Sequence, residues 1–274
     1  MILTIEGVDV LLDNITPENY NNIRNYLKSQ LTLKQKKRDA VLNSFVYAMQ
    51  LVPLANPSDV WHHIIYRSFI DLSSGGDAGQ SWKRVGGESL ELFFQTYYAP
   101  LFEKYHIRIT TLIGKKAKKE ALCRLGCQDC VGEAKLDVIL EGEQDGEFYI
   151  FGGVHVKASL AERVSDDVPT SEKIKALGYF SPLVTFDVKS FPVSSGGNFI
   201  NKGELGTNEF PSEKRKYIEL HGSFDNCYSY NLRTIPSKGK TPSGKYIYVQ
   251  GLIFKEDAFV KDAVSFWNEF SKNI

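Results

Sequence analysis

No run of roughly eighteen or more apolar residues occurs in the 274-residue chain, so a transmembrane helix is not expected. The opening stretch MILTIEGVDVLLDN lacks the basic region, apolar core and small-residue cleavage site of a secretory signal. Cysteine is scarce. The four, at positions 123, 127, 130 and 227, form no disulfide framework in a chain of this length, and a reducing, cytoplasmic setting is expected. Neither sign of charge is in excess: 33 Lys and Arg balance 33 Asp and Glu. That argues against a non-specific polybasic binder, while leaving room for a cleft with local positive charge. Internal repeats and low-complexity tracts are absent. The glycine- and lysine-bearing stretches NKGELGTN and TPSGK lack the strand–loop–helix setting of a phosphate-binding loop, so no nucleotide cofactor is expected.

What is present describes a globular chain with a substantial core, 42% apolar and 24% charged. Its length suits one large domain or two unequal ones. Toward the N-terminus, NITPENYNNIRNYLKSQL carries a helix start, with Thr16 as N-cap and Pro17 in the first turn. RDAVLNSFVYAMQLV has helical spacing, and NPSDVWHHIIYRSFIDL repeats the start signal with Ser58 as cap. The first 70 residues thus read as largely helical. The connector SSGGDAGQS at 73–81 places a boundary near residue 80, dividing a helical N-terminal region, 1–80, from the remainder, 81–274. In ESLELFFQTYYAPLFEKY the apolar stripe Leu90, Phe93, Phe94, Tyr97 and Leu101 predicts a long helix over 88–105 that Pro100 should kink or end. Glu91 falls at the edge of that stripe.

KLDVIL alternates as a strand, EGEQDGE supplies a turn around Asp145-Gly146, and a more apolar run from about Phe148 to Lys157 reads as a central strand. SEKIKALGYF predicts a short helix capped by Ser171, and PLVTFDVKSF and KYIYVQGLIF predict strands. EDAFVKDAVSFWNEFSKN closes the chain as an amphipathic helix. The fold class is α/β (α+β), with a mixed central sheet flanked by helices.

The chemistry gathers around this strand pair. Asp137 interrupts an apolar strand, and Lys157 ends the neighbouring strand of the hairpin. Adjacent strands lie about 4.8 Å apart, so the two side chains can converge on one metal-sized space. Carboxylates that bind Mg²⁺ and a lysine beside them suit phosphodiester hydrolysis. The competing interpretation is an ion pair closing a sheet edge. Glu91 strengthens the first, because a helix just ahead of the strand pair can lean an acid toward Asp137; alone it reads as a solvated stripe-edge residue.

The segments WHHIIYR, SWKRVGGESLE, KLDVIL, GGVHVKASLAERVSDDVPTS, TFDVKSFP, NKGELGT, KRKYIELHG, SYNLRT and TPSGKYIYVQG follow one another from residue 61 to 251. Together they resemble the CCGG-cutting branch of the PD-(D/E)xK type II restriction endonucleases. The resemblance implies a PD-(D/E)xK core and a Mg²⁺-dependent, site-specific deoxyribonuclease with one or two metal ions per active site. It implies a homodimer on double-stranded DNA, in a prokaryotic cytoplasm, cutting before the first C of CCGG to leave 5′ overhangs. Asp137 resembles the metal-binding strand aspartate, Lys157 the motif lysine and Glu91 the helix glutamate. Where the plain motif has a second acid, two residues before the lysine, this chain has His155. The branch takes that acid from a later position; Asp167 is the choice, with Asp166 and Glu172 as competitors. The metal set implied is therefore Glu91, Asp137 and Asp167.

Glu162 and Arg163 follow Lys157 closely. Glutamate accepts from cytosine N4 and arginine grips guanine O6 and N7, the pairing a CCGG core requires. The bland alternative is a surface ion pair. Arg84, Lys189 and Ser190 match further blocks expected to contact DNA. Cys123, Cys127 and Cys130 have the C-x3-C-x2-C spacing of an iron–sulfur site, but lie ahead of the Asp137 strand without repeated βα units, and read better as free thiols. His62 and His63 read as packing or interface residues. Two other classes remain open: a less specific repair or transposition nuclease, and a non-catalytic DNA-binding module.

Overall fold

The computed structural model describes residues 1–5, 7–73, 77–127, 136–161, 164–189 and 198–274. In chain order the elements are β1 (Ile2–Ile5), β2 (Val8–Leu11), α1 (Pro17–Thr32), α2 (Lys37–Leu51), a short turn α3 (Pro57–Asp59), a π-helical segment (Val60–Tyr66), α4 (Arg67–Leu72) and α5 (Ala78–Glu103). There follow β3 (Ile107–Thr111), α6 (Gly114–Arg124), β4 (Val138–Gln144), β5 (Glu147–Lys157), α7 (Val164–Ala176), β6 (Leu183–Thr185) and β7 (Asn198–Phe199). α8 (Glu213–Glu219), β8 (Cys227–Ser229), β9 (Ile247–Val249) and α9 (Ala258–Phe270) complete the order.

Among the described residues the main sheet has six strands in the order β3-β4-β5-β6-β8-β9. β3, β4 and β5 pair antiparallel, and β5, β6, β8 and β9 pair parallel, so the sheet is mixed, with helices packed on it. β5 lies inside the sheet and is buried along most of its length, which explains its continuous apolar run. Asp145 and Gly146 both take positive φ, 53° and 82°, and close the β4–β5 hairpin as a two-residue turn whose twist matches the strands. The register slips between Leu140 and Glu141, leaving Phe151 as the extra residue of a β-bulge. Farther along the hairpin, Gly142 leaves room for the Trp267 indole of α9; a Cβ there would collide with it.

The N-terminal segment is not purely helical. β1 and β2 form a hairpin whose second strand pairs parallel with β7, and the Met1 ammonium donates to the carbonyls of Leu12 at 2.7 Å and Ile15 at 2.8 Å. Residues on both sides of position 80 share one hydrophobic cluster, from Ile23, Phe45 and Trp61 to Phe94, Val154 and Trp267. The Phe45 ring meets Trp61, Phe93 and Phe186 at centroid distances of 5.1, 4.7 and 5.3 Å. Polar ties reinforce this: Arg233 donates to Asp59 at 2.6 Å and to Asp13 at 2.7 Å, and Asn56 to Asn231 at 2.9 Å.

Three local expectations are corrected. Asn56, not Ser58, caps the turn at Pro57, because its side chain accepts from the Ser58 N–H while Ser58 is itself buried. Ser171 lies inside α7 rather than at its start; its hydroxyl is buried against Ser181 Oγ at 2.7 Å. α5 begins ten residues earlier than position 88, capped by Asp77, and continues three residues beyond Pro100. Thr16 does cap α1, accepting from the Asn19 N–H at 3.1 Å.

Candidate active site

Asp137 sits immediately ahead of β4, where its carbonyl accepts from the Leu112 N–H at 2.8 Å and so continues the β3 ladder. The β4–β5 register pairs Val138 with Val154, which sets Asp137 beside His155 and diagonal to Lys157 on one face of the sheet. The Lys157 Nζ lies 3.6 Å from Asp137 Oδ2. On its other side it lies 2.8 Å from Asp167 Oδ2, delivered by the first turn of α7. Burial opposes the charge on Lys157, but Asp167 and Asp137 more than offset it, and its pKa stands above the ordinary lysine value.

Of the three acids that could replace the missing one, Asp167 is the one brought to Lys157. Asp166 is exposed, and Glu172 accepts from the Ser223 hydroxyl at 2.9 Å. His155 occupies the motif position as a buried residue; its Nδ1 is 3.9 Å from Asp167 Oδ2 and its Nε2 is 3.1 Å from Ser181 Oγ.

Glu91 reaches the same place from α5. Thr111 of β3 clamps that helix, its hydroxyl donating to the Glu91 carbonyl at 3.1 Å and its N–H to Gln95 Oε1 at 2.7 Å. Burial, and then the nearby Asp137 carboxylate, push the Glu91 carboxyl up to about 8. Two carboxyl groups facing one cleft have the donor chemistry for a hard divalent cation. Glu91 and Asp137 therefore fit a metal, with Asp167 adjoining through Lys157. Among the described residues no three such side chains form a ready-made ligand cluster.

Glu91, Asp137 and Lys157 line a cleft of about 1110 Å³ together with Arg67, Lys83 and Arg84. Asp77 and Glu88 line it too, so basic and acidic side chains are interleaved along its wall. Arg84, expected to contact DNA, is among the lining residues of this cleft. Lys189 is exposed, just beyond the cleft residue Val188, with its N–H on Asn201 Oδ1 at 3.1 Å. Glu162, Arg163 and Ser190 lie outside the described residues.

Two features escaped the sequence. Lys118 of α6 donates to Asp137 Oδ1 at 2.7 Å, and nothing in the lysine-rich GKKAKKEALCR distinguishes it from its neighbours. His62 lines the cleft beside Tyr66, the rings stacked at 5.1 Å, whereas His63 is fully buried against Phe199. The π-helical path of this segment carried no sequence signal, although its WHHIIYR block was noted. Cys123 is exposed, while Cys127 and Cys227 are buried in different apolar clusters. Cys130 lies outside the described residues.

Comparison with known proteins places this geometry in a family. Residues 114–251 match the family model described as BsaWI restriction endonuclease type 2. The chain is 46% identical over 257 residues to the type II restriction enzyme AgeI of Thalassovita gelatinovora, covering 91% of this chain and 92% of that one. A crystal structure of a specific AgeI–DNA complex superposes with a TM-score of 0.90 at 44% identity, covering 97% of this chain and 99% of that one. The mixed sheet and its helices are thus those of a PD-(D/E)xK-type fold, and the chain belongs to the type II restriction endonucleases, the site-specific deoxyribonucleases that include AgeI and BsaWI.

Proposed function

We propose that the protein is a Mg²⁺-dependent endonuclease that binds double-stranded DNA as a homodimer and cuts a palindrome containing CCGG before its first C. The observation that carries this reading is the convergence of Lys157 with Asp137 and Asp167 beside a cleft that Arg67, Lys83 and Arg84 also line. Glu91 and Asp137, with Asp167 beside them, would hold the metal. When bound, such a cation lowers the pKa of an attacking water and neutralises charge building on the phosphoryl group. Lys157, kept charged by its two carboxylates, donates to a phosphate oxygen and orients the water. Asp167 holds that ammonium in place. Arg84, Lys189 and Ser190 contact DNA, and Glu162 and Arg163 read cytosine and guanine from the segment that follows Lys157. A palindrome cut in both strands calls for two-fold symmetry, one active site per strand. The bacterial source of the AgeI relative supports a prokaryotic cytoplasmic setting.

Plasmid DNA incubated with the protein and Mg²⁺, followed by sequencing of the ends, tests the whole reading. A single CCGG-bearing 5′ overhang is expected. Scattered ends would favour a less specific nuclease, and binding without cleavage a DNA-binding module. Asp137→Ala is expected to bind the site in Ca²⁺ yet fail to cut. Arg163→Ala is expected to lose specific binding, since one bidentate guanine contact is worth about 1–3 kcal/mol of discrimination.

A further inference from the structure

α6 carries lysines at 115, 116, 118 and 119, and they are not equivalent. Lys115, Lys116 and Lys119 are exposed, whereas Lys118 is half-buried. Ala121 and Leu122, three and four residues on, pack into an apolar cluster with Ile139 and Leu136, so the face that anchors α6 to the sheet carries Lys118 with it. Its ammonium ends 2.7 Å from Asp137 Oδ1, with only 18% of the side chain exposed. The other oxygen of Asp137 faces Lys157 at 3.6 Å. Both oxygens of the strand aspartate are thus turned toward ammonium groups. The Lys118 charge also acts on the Glu91 carboxyl more strongly than that of Lys157 does.

A lysine ammonium and a divalent cation seek the same carboxylate lone pairs, and neither can use an oxygen fully while the other holds it. Lysine suits such an exchange, being a compact charge on a flexible four-carbon stem. We propose that Lys118 is an internal cation that competes with the divalent metal for Asp137, so that metal binding requires its ammonium to swing away from that carboxylate. Lys118 is then a positioning residue that holds down the cation affinity of the site while keeping the Asp137 carboxylate in place. The proposal rests on Asp137 being a metal ligand, as the proposed function has it.

The test is direct binding of Mn²⁺ to the full chain without DNA, followed by electron paramagnetic resonance or calorimetry, with thermal melts to verify folding. Lys118→Gln is expected to bind Mn²⁺ at least about tenfold more tightly than the unaltered chain, because a unit charge at hydrogen-bond distance has been removed. Lys118→Arg, which keeps the charge, is expected to stay near the original affinity, and Asp137→Asn to lose binding. Equal or weaker binding by folded Lys118→Gln, with binding still lost in Asp137→Asn, would overturn the competition and leave the metal assignment standing. Retained binding in Asp137→Asn would overturn both. A measurement on the unaltered chain guards against misfolded variants: the Lys118 side-chain nuclear magnetic resonance signal is expected to move with the same midpoint as Ca²⁺ binding. A signal that stays fixed while the cation binds would refute the displacement.

Discussion

Replacing Asp167 by Asn should separate the acid that serves Lys157 from the two that merely lie near it in sequence. The Lys157–Asp167 contact is 2.8 Å long, with side chains 18% and 3% exposed. At an effective dielectric of about 20, unit charges at that distance attract by roughly 6 kcal/mol. Asn keeps a carbonyl acceptor, and Lys157 keeps Asp137 at 3.6 Å, so the net cost falls below the ~3–5 kcal/mol of an abandoned buried charge. About 2–3 kcal/mol is a fair expectation for stability, which for a chain of this size lowers Tm by roughly 3–6 °C. If the same contact holds the ammonium where the phosphate must meet it, a comparable loss at the transition state slows cleavage by about 10²-fold. Asp166→Asn, at an exposed position, and Glu172→Gln, on the Ser223 hydroxyl, should cut within about threefold of the unaltered protein, since neither removes a charge from Lys157. The assay is single-turnover cleavage of a CCGG-bearing duplex in Mg²⁺, with thermal melts of all three variants. Wild-type cleavage by Asp167→Asn, or loss of cleavage in Asp166→Asn, would refute the assignment.

Gly142→Ala should cost about 1–3 kcal/mol, because its Cβ would drive into the Trp267 indole and force α9 outward; an unchanged urea midpoint would count against that packing. His63 is fully buried with neither ring nitrogen hydrogen-bonded, and burial holds its pKa down at about 3, against about 6.5 in the unfolded chain. The unfolded state therefore binds the extra proton below about pH 6.5, so stability contributed by neutral His63 is present above that pH and falls as pH drops toward 3. This loss approaches about 1.4 kcal/mol per pH unit. His63→Phe should flatten the acid limb of the stability profile, and identical limbs would exclude the effect. Arg84→Ala should weaken DNA binding and reduce its dependence on salt if the cleft-lining guanidinium meets phosphate, as a titration at two ionic strengths would reveal.

Short-range patterns made much of the fold legible. Asp145-Gly146 marked the hairpin because positive φ at two successive residues is a local requirement. Thr16-Pro17 marked the start of α1, and the apolar stripe of α5 marked the face that Phe93 and Phe94 bury. Asp137 and Lys157 could be read as a pair because they sit at the open end of two strands joined by that short turn, and strand geometry limits how far apart they can be. Glu91 was visible at its stripe edge, although its approach to Asp137 depends on Thr111 fixing the helix to the sheet.

Other features depended on the whole assembly. Three candidate acids follow Lys157 nine, ten and fifteen residues on, and only the placement of α7 against β5 selects Asp167. Four lysines crowd α6, and only the packing of Ala121 and Leu122 turns Lys118 inward. The junction near residue 80, marked by a run of small polar residues, joins segments that bury their aromatic rings in a common core. By itself the sequence determined where chain direction and periodicity change, because turns, caps and stripes are decided among neighbouring residues. Tertiary structure decided which charges meet, because an ion pair depends on helix rotation and sheet register, set by contacts far apart in the chain.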